Sequence, residues 1–242
     1  MGPGMRWNGI WVLMFLLPAP VAQAADDIVV SPLKSSGEIV HYPRLTRFPD
    51  AQIQKRVNDL LATRDKEESV SHAWCETNLR EAHQKKDKDF YFTSIEVTHI
   101  SRRFLSFAIT GEYYCGGAHP DHGPREPLTI DLSSGKAVDW DKEFRPGFLG
   151  ENGRLATIYH KRYPALRGND PKDDCIEDIR ADPLSSFYIN LVSKEGGLAV
   201  KPEQPFATIA CMEPLALRAD ELAPYIRDAN LMAELQTMAA RK

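Results

Sequence analysis

Hydrophobic and polar positions recur with two different periods along this chain. Residues 28–44 read as extended, with Ile39-Val40-His41-Tyr42 as a strand that Pro43 ends. After Asp50, a good N-cap, Ile53, Val57, Leu60 and Leu61 recur at helical spacing, which predicts a helix to about Lys66. A second helical stretch is expected from Ser71 to about Lys86, with Trp74, Cys75 and Leu79 on its buried side. From Phe90 to Thr98 the residues turn aromatic and β-branched, and Phe90, Phe92 and Val97, with Ile95, are expected on the covered face of a strand. Phe104 to Tyr114 reads as its partner, with Leu105, Phe107 and Ile109 on one face. Leu128 to Leu132 is a third strand, and Ser133-Ser134-Gly135-Lys136 a tight turn into Ala137-Val138.

The helical period returns over Gly147–Tyr163, where Leu155, Ile158 and Tyr159 form a face, and a short helix is expected near Asp174–Ala181. Phe187 to Val192 is a strong strand, and Glu195-Gly196-Gly197 turns it into its hairpin partner at Leu198-Ala199-Val200. A strand at Phe206–Met212, a short helix from about Ala219 and a last helix over Asp228–Ala240 complete the pattern. Helix, strands, helix, strands, helix predicts an α+β fold, mainly antiparallel sheet with packed helices.

Composition changes this picture little. The chain has 242 residues, 43% hydrophobic and 26% charged, with a net charge of −4. That mix excludes a collagen-like, disordered or multi-span membrane protein. A pI near 6.0 argues against nucleic-acid binding. The first 24 residues change it more. Arg6, an apolar run from Ile10 to Leu17, Pro18 and Pro20, then Ala22-Gln23-Ala24 match a secretory signal peptide cleaved after Ala24. The apolar run is far shorter than the ~20 residues of a spanning helix, so no membrane anchor is expected after cleavage. The chain is expected in the periplasm or outside the cell. In such a compartment Cys75, Cys115, Cys175 and Cys211 are expected as disulfides. Three pairings exist, and the sequential one is favoured because each bond then joins a helical or loop segment to a nearby strand. No two cysteines stand in a C-x-x-C motif.

The sequence carries little recognisable chemistry. It has no G-x-S-x-G, H-E-x-x-H, P-loop or G-x-G-x-x-G motif, and no enzyme activity or cofactor is expected. Ser31–Lys34 and Ser133–Lys136 match S-x-x-K but lack the partner elements of penicillin-recognising enzymes. The most distinctive stretch runs from Tyr113 to Gly123 and contains Gly116-Gly117-Ala118-His119-Pro120. Its first reading is a sharp backbone turn, its second a partner-binding loop. A third is a metal-dependent hydrolase on His119 and His122, for which no third ligand is identifiable. The acidic stretch with Asp173, Asp174 and Glu177 reads as a solvated face or as a patch steering a basic partner.

Tyr114-Cys115-Gly116-Gly117-Ala118-His119-Pro120, the following Thr129–Lys136 segment, Phe187-Tyr188 and Gly196–Val200 together carry a resemblance. The chain resembles the extracytoplasmic domain of unknown function shared by RsiV-type anti-sigma factors and the non-catalytic part of PdaC-type polysaccharide deacetylases. The resemblance covers about residues 36–226. It implies two intimately associated α+β subdomains, here an N-terminal part at 25–140 and an RsiV-like C-terminal part at 141–242. It also implies a cell-envelope binding role, with a lysozyme-like protein or peptidoglycan as ligand. The T-F-D-D-G-type deacetylase motif is absent, so that activity is not implied. A structural envelope protein without a small ligand is the remaining alternative.

Overall fold

The computed structural model describes residues 27–36, 39–82, 91–116, 121–124, 126–170, 172–203 and 211–241. The segment read as a signal peptide and most of the strand expected at 206–212 lie outside these. The fold is α+β with antiparallel sheets, as expected from the pattern.

The N-terminal residues are short strands held by one long helix. β1 (Val29–Val30) pairs with β4 (Leu45–Arg47), and β2 (Lys34–Ser36) with β3 (Ile39–His41). Helix α1 (Ala51–Glu81) starts where Asp50 accepts hydrogen bonds from the Gln52 and Ile53 amides, at 2.8 and 3.0 Å. The pattern predicts two helices here and the structure has one. No glycine or proline interrupts residues 51–81, so nothing stops propagation between the two apolar stretches. Ile53, Val57 and Leu61 are buried as expected, and the next turn buries Asp65 instead of an apolar residue. Asp65 accepts the Tyr42 amide at 2.8 Å and pairs with Arg44. Two turns earlier, Asn58 bonds both the amide and the carbonyl of Leu45 at 2.9 Å. Thus α1 satisfies, through its own polar side chains, the backbone of strands too short to satisfy themselves.

The first sheet packs on α1. It comprises β5 (Tyr91–Ile100), β6 (Phe104–Tyr113), β8 (Leu128–Asp131) and β9 (Lys136–Ala137) in that order, with β7 (Asp121–Pro124) also on β6. Leu105, Phe107 and Ile109 face α1, as the alternation predicts. β5 departs from the expectation. Tyr91, Thr93 and Ile95 are buried, while Phe92 is half exposed. Further along, Val97 pairs with Phe107 but His99 pairs with Ser106, so Thr98 is an extra residue in a bulge. Because Phe107 and Ser106 point to opposite faces, the bulge turns His99 away from α1 and returns Ile100 to it.

The second sheet, β10 (Phe187–Val192), β11 (Gly197–Pro202) and β12 (Leu215–Arg218), is antiparallel in that order. The expected hairpin is present. Gly196 is left-handed at φ 66°, and a Cβ on Gly197 would lie 2.0 Å from the Leu217 carbonyl oxygen. One face, with Ile189, Leu191, Leu198, Val200, Leu215 and Leu217, is buried. It shares a core with α3 (Arg154–Leu166), α4 (Asp174–Ala181), α5 (Ala219–Leu222) and α6 (Ala229–Ala240). A short α2 (Trp140–Glu143) precedes them. The favoured cysteine pairing is the one formed: Cys75–Cys115 ties α1 to the end of β6, and Cys175–Cys211 ties α4 to the approach of β12. By loop entropy each contributes up to about 4 kcal/mol.

The two sheets meet along β10. The Leu191 amide, on the edge of β10 away from β11, donates to Ser106 Oγ at 3.1 Å, and Ser106 Oγ shares a hydrogen bond with Thr129 Oγ1 at 2.8 Å. Ser106→Ala removes the acceptor of a buried amide. It should cost about 1–3 kcal/mol in urea denaturation, whereas a loss below about 0.5 kcal/mol, the range of neutral surface changes, would show that this contact does not hold the sheets.

Candidate functional site

The face of the second sheet that looks away from its core carries Tyr188, Asn190 and Val192 on β10, Ala199 and Lys201 on β11, and Ala216 on β12. These alternate with the core residues along each strand. Opposite them, β5 and β6 present Glu96, Thr98, Ala108 and Thr110. The two faces enclose an open groove of about 500 Å³, closed at its sides by Pro127, Pro214 and the α3 residues Arg162 and Leu166. That volume is the size of a small-molecule or peptide seat. Asn190 Nδ2 donates to Thr98 Oγ1 at 3.2 Å across its floor.

Most charged groups around the groove are paired. Lys194 Nζ lies 3.0 Å from Glu96, and Arg162 Nη1 2.6 Å from Glu221. Just beyond it, Glu213 is held by Arg167 at 3.1 Å. Tyr188 bonds Glu203, and its phenol is pushed up to about 12, by burial first and by the Glu203 charge second. Lys201 has neither an ion pair nor a hydrogen bond among the described residues. Burial lowers its ammonium from the usual value, and the charge of Glu213 only partly opposes this. A half-buried cation left without a partner among the described residues gains from any anionic group that reaches it.

A second cluster lies where the bulge turns His99. The ring is buried, with Nδ1 2.7 Å from Ser193 Oγ and Nε2 3.0 Å from Glu234 Oε1 on α6. The second approach becomes an ion pair when the ring is protonated. Burial alone would raise the Glu234 carboxyl, but His99, Ser101 and Arg241 together hold it below its usual value. Serine, histidine and glutamate in a row resemble a nucleophile relay. However, Ser193 is not among the residues lining the groove. The cluster instead fastens the β10–β11 turn and β5 to the C-terminal helix.

The residues singled out from sequence lie elsewhere. Gly116 is the last described residue before the distinctive loop and has φ 90°. Gly117, Ala118, His119 and Pro120 lie outside the described residues, as does the His119 part of the metal reading. His122 is described only through its backbone, which pairs with Glu112. Among the described residues no cluster of three His, Cys, Asp or Glu could hold a metal. Beside Gly116, Val70, Trp74, Tyr91 and Tyr113 line a surface depression of about 420 Å³. Asp173 caps α4 through the Cys175 amide at 3.0 Å and pairs with Arg167 at 2.7 Å. Asp174 and Glu177 stand in the first turn of that helix. None of these lines the groove. No groove residue is among the site residues expected from sequence, although Tyr188 and Ala199 lie in segments that carry the resemblance. The only other signal of the groove residues is the alternate polar and small positions of Phe187–Val192 and Gly197–Pro202.

No protein-family model and no curated protein matches this chain. Solved structures do. A member of the DUF3298 family from Bacteroides fragilis superposes with a TM-score of 0.53 at 13% identity, over 87% of this chain and 94% of that one. A DUF3298 family protein from Pseudomonas aeruginosa gives 0.48 at 14% identity, over 84% and 94%. The structural neighbours are therefore proteins of a domain of unknown function, and the first shows a shared fold.

Glu234 titrates below its ordinary 4.5 in the folded protein. Its contacts therefore stabilise the fold above that pH, and the contribution is lost as pH falls through the lowered folded value. Glu234→Gln should destabilise the protein at pH 7 and flatten the acid limb of a stability–pH curve. An unchanged acid limb would contradict the assignment.

Proposed function

We propose that this chain is an exported, non-enzymatic binding domain of the bacterial cell envelope, with its ligand seated in the groove between the two sheets. The observation that carries this reading is Lys201, half buried and without a partner among the described residues, in a groove of about 500 Å³ whose exposed lining is mostly apolar. The signal-like first 24 residues, two disulfides and the RsiV-like resemblance support export to the periplasm. Among the described residues, no helix is long and apolar enough to cross a membrane. The Ser193–His99–Glu234 row lies off the groove, which favours binding over catalysis.

Of the two ligands the resemblance suggests, an acidic peptidoglycan fragment suits the groove better than a lysozyme-like protein. A folded partner needs a face of about 800 Å² rather than a groove between two sheets. The lysozyme reading rests on a separate observation, the acidic first turn of α4 with Asp174 and Glu177.

Titration calorimetry with soluble muropeptides and with lysozyme separates these readings. Muropeptides should bind, and Lys201→Ala should weaken them by roughly 10- to 100-fold, the loss of a charge-assisted contact. Asp174→Lys combined with Glu177→Lys should leave muropeptide affinity unchanged. Heat with lysozyme alone, abolished by the α4 changes, would transfer the function to that helix. No heat with either at high micromolar concentration would overturn the proposal.

A further inference from the structure

The groove has a direction, because the two charges on its lining that have no partner among the described residues stand at opposite ends. Lys201 sits near the C-terminal end of β11. At the other end is the turn between β10 and β11, where Val192 and Glu195 line the groove. Glu195 carries no ion pair or hydrogen bond among the described residues. The other charges on the lining, Glu96 and Arg162, are neutralised by Lys194 and Glu221. Lys201 lies four strand residues from Gly197, or ~13 Å along β11 at the usual rise.

Between the two ends the groove lining mixes small, polar and apolar side chains. Ala108, Ala199 and Ala216 leave room for a chain to lie close to the strands. Thr98, Thr110 and Asn190 offer hydroxyls and an amide of the kind that meet peptide groups. Leu166, Pro127 and Pro214 supply apolar walls for small side chains.

We propose that the groove recognises a short extended peptide of about four residues, with its free carboxylate on Lys201 and its free amino group towards Glu195. This rests on the groove being the ligand seat and adds the ligand's class and polarity. Two sources offer that chemistry: ordinary L-peptides from proteolysis, and the D-residue-containing stem peptides of peptidoglycan.

The test uses the full mature chain and four probes in calorimetry: tetra-alanine as free acid, its C-terminal amide, its N-acetyl form, and a free stem tetrapeptide. Amidation should weaken tetra-alanine by roughly tenfold or more. Lys201→Met should weaken the free acid equally and abolish the difference between acid and amide. Glu195→Gln should likewise abolish the difference between the free and acetylated amine. Comparing the stem tetrapeptide with tetra-alanine assigns the source. Equal binding of acid and amide by the wild-type protein overturns the carboxylate seat without relying on any variant. If muropeptides bind through Lys201 and all four peptides fail, the peptide inference falls and the groove reading stands. If no probe responds to Lys201→Met, both fall.

Discussion

The arrangement depends on how the free edge of β10 is buried. Among the described residues β10 pairs with β11 on one side only, so its other edge presents amides that would otherwise be open to water or to another chain. Here that edge lies against the face of the first sheet, and a buried amide there needs an acceptor. Ser106 supplies it to Leu191, and Thr129 completes the hydroxyl's own bonding. An edge laid on a face is unlike two sheets stacked face to face with interdigitating side chains. The sheets meet along one strand and diverge from it, and the wedge between their outer faces is the groove.

The bulge in β5 serves the same junction. Inserting Thr98 places its hydroxyl under Asn190 and sends His99 to the side where Ser193 and Glu234 wait. One extra residue thereby links the first sheet, the tip of the β10–β11 hairpin and the C-terminal helix. These contacts are polar and partly buried around the buried His99 ring, so each group is tied to a specific partner, and the junction is fixed in register rather than only held together. The groove inherits that rigidity. Among its charged lining residues, Glu96 and Arg162 are paired within the scaffold, whereas Lys201 and Glu195 have no partner among the described residues.

Much of this fold is legible in the sequence because it is local. The Asp50 cap, the Leu105–Phe107–Ile109 face, the turn at Ser133–Lys136, the helix at Asp174–Ala181 and the Gly196-Gly197 hairpin all follow from short-range pattern. The face of β5 does not, because a bulge breaks the alternation and Thr93, not Phe92, is covered. β12 is only four residues long and follows a proline, and its identity as a strand depends on β11. The groove is the least legible of all. Its residues come from segments about 90 positions apart, joined by contacts such as Thr98 with Asn190. Lys201 in sequence is an ordinary strand lysine; only the fold half buries it without a partner among the described residues.

The central claim is that the wedge between the sheets is where this protein meets its ligand. The most direct measurement is amide chemical-shift mapping of the isotope-labelled protein titrated with soluble muropeptides. Perturbations should concentrate on Thr98, Ala108, Thr110, Asn190, Ala199 and Lys201, the strands that form the two walls. Perturbations confined to α4, or to the end of β6 around Gly116, with these strands unmoved, would contradict the account.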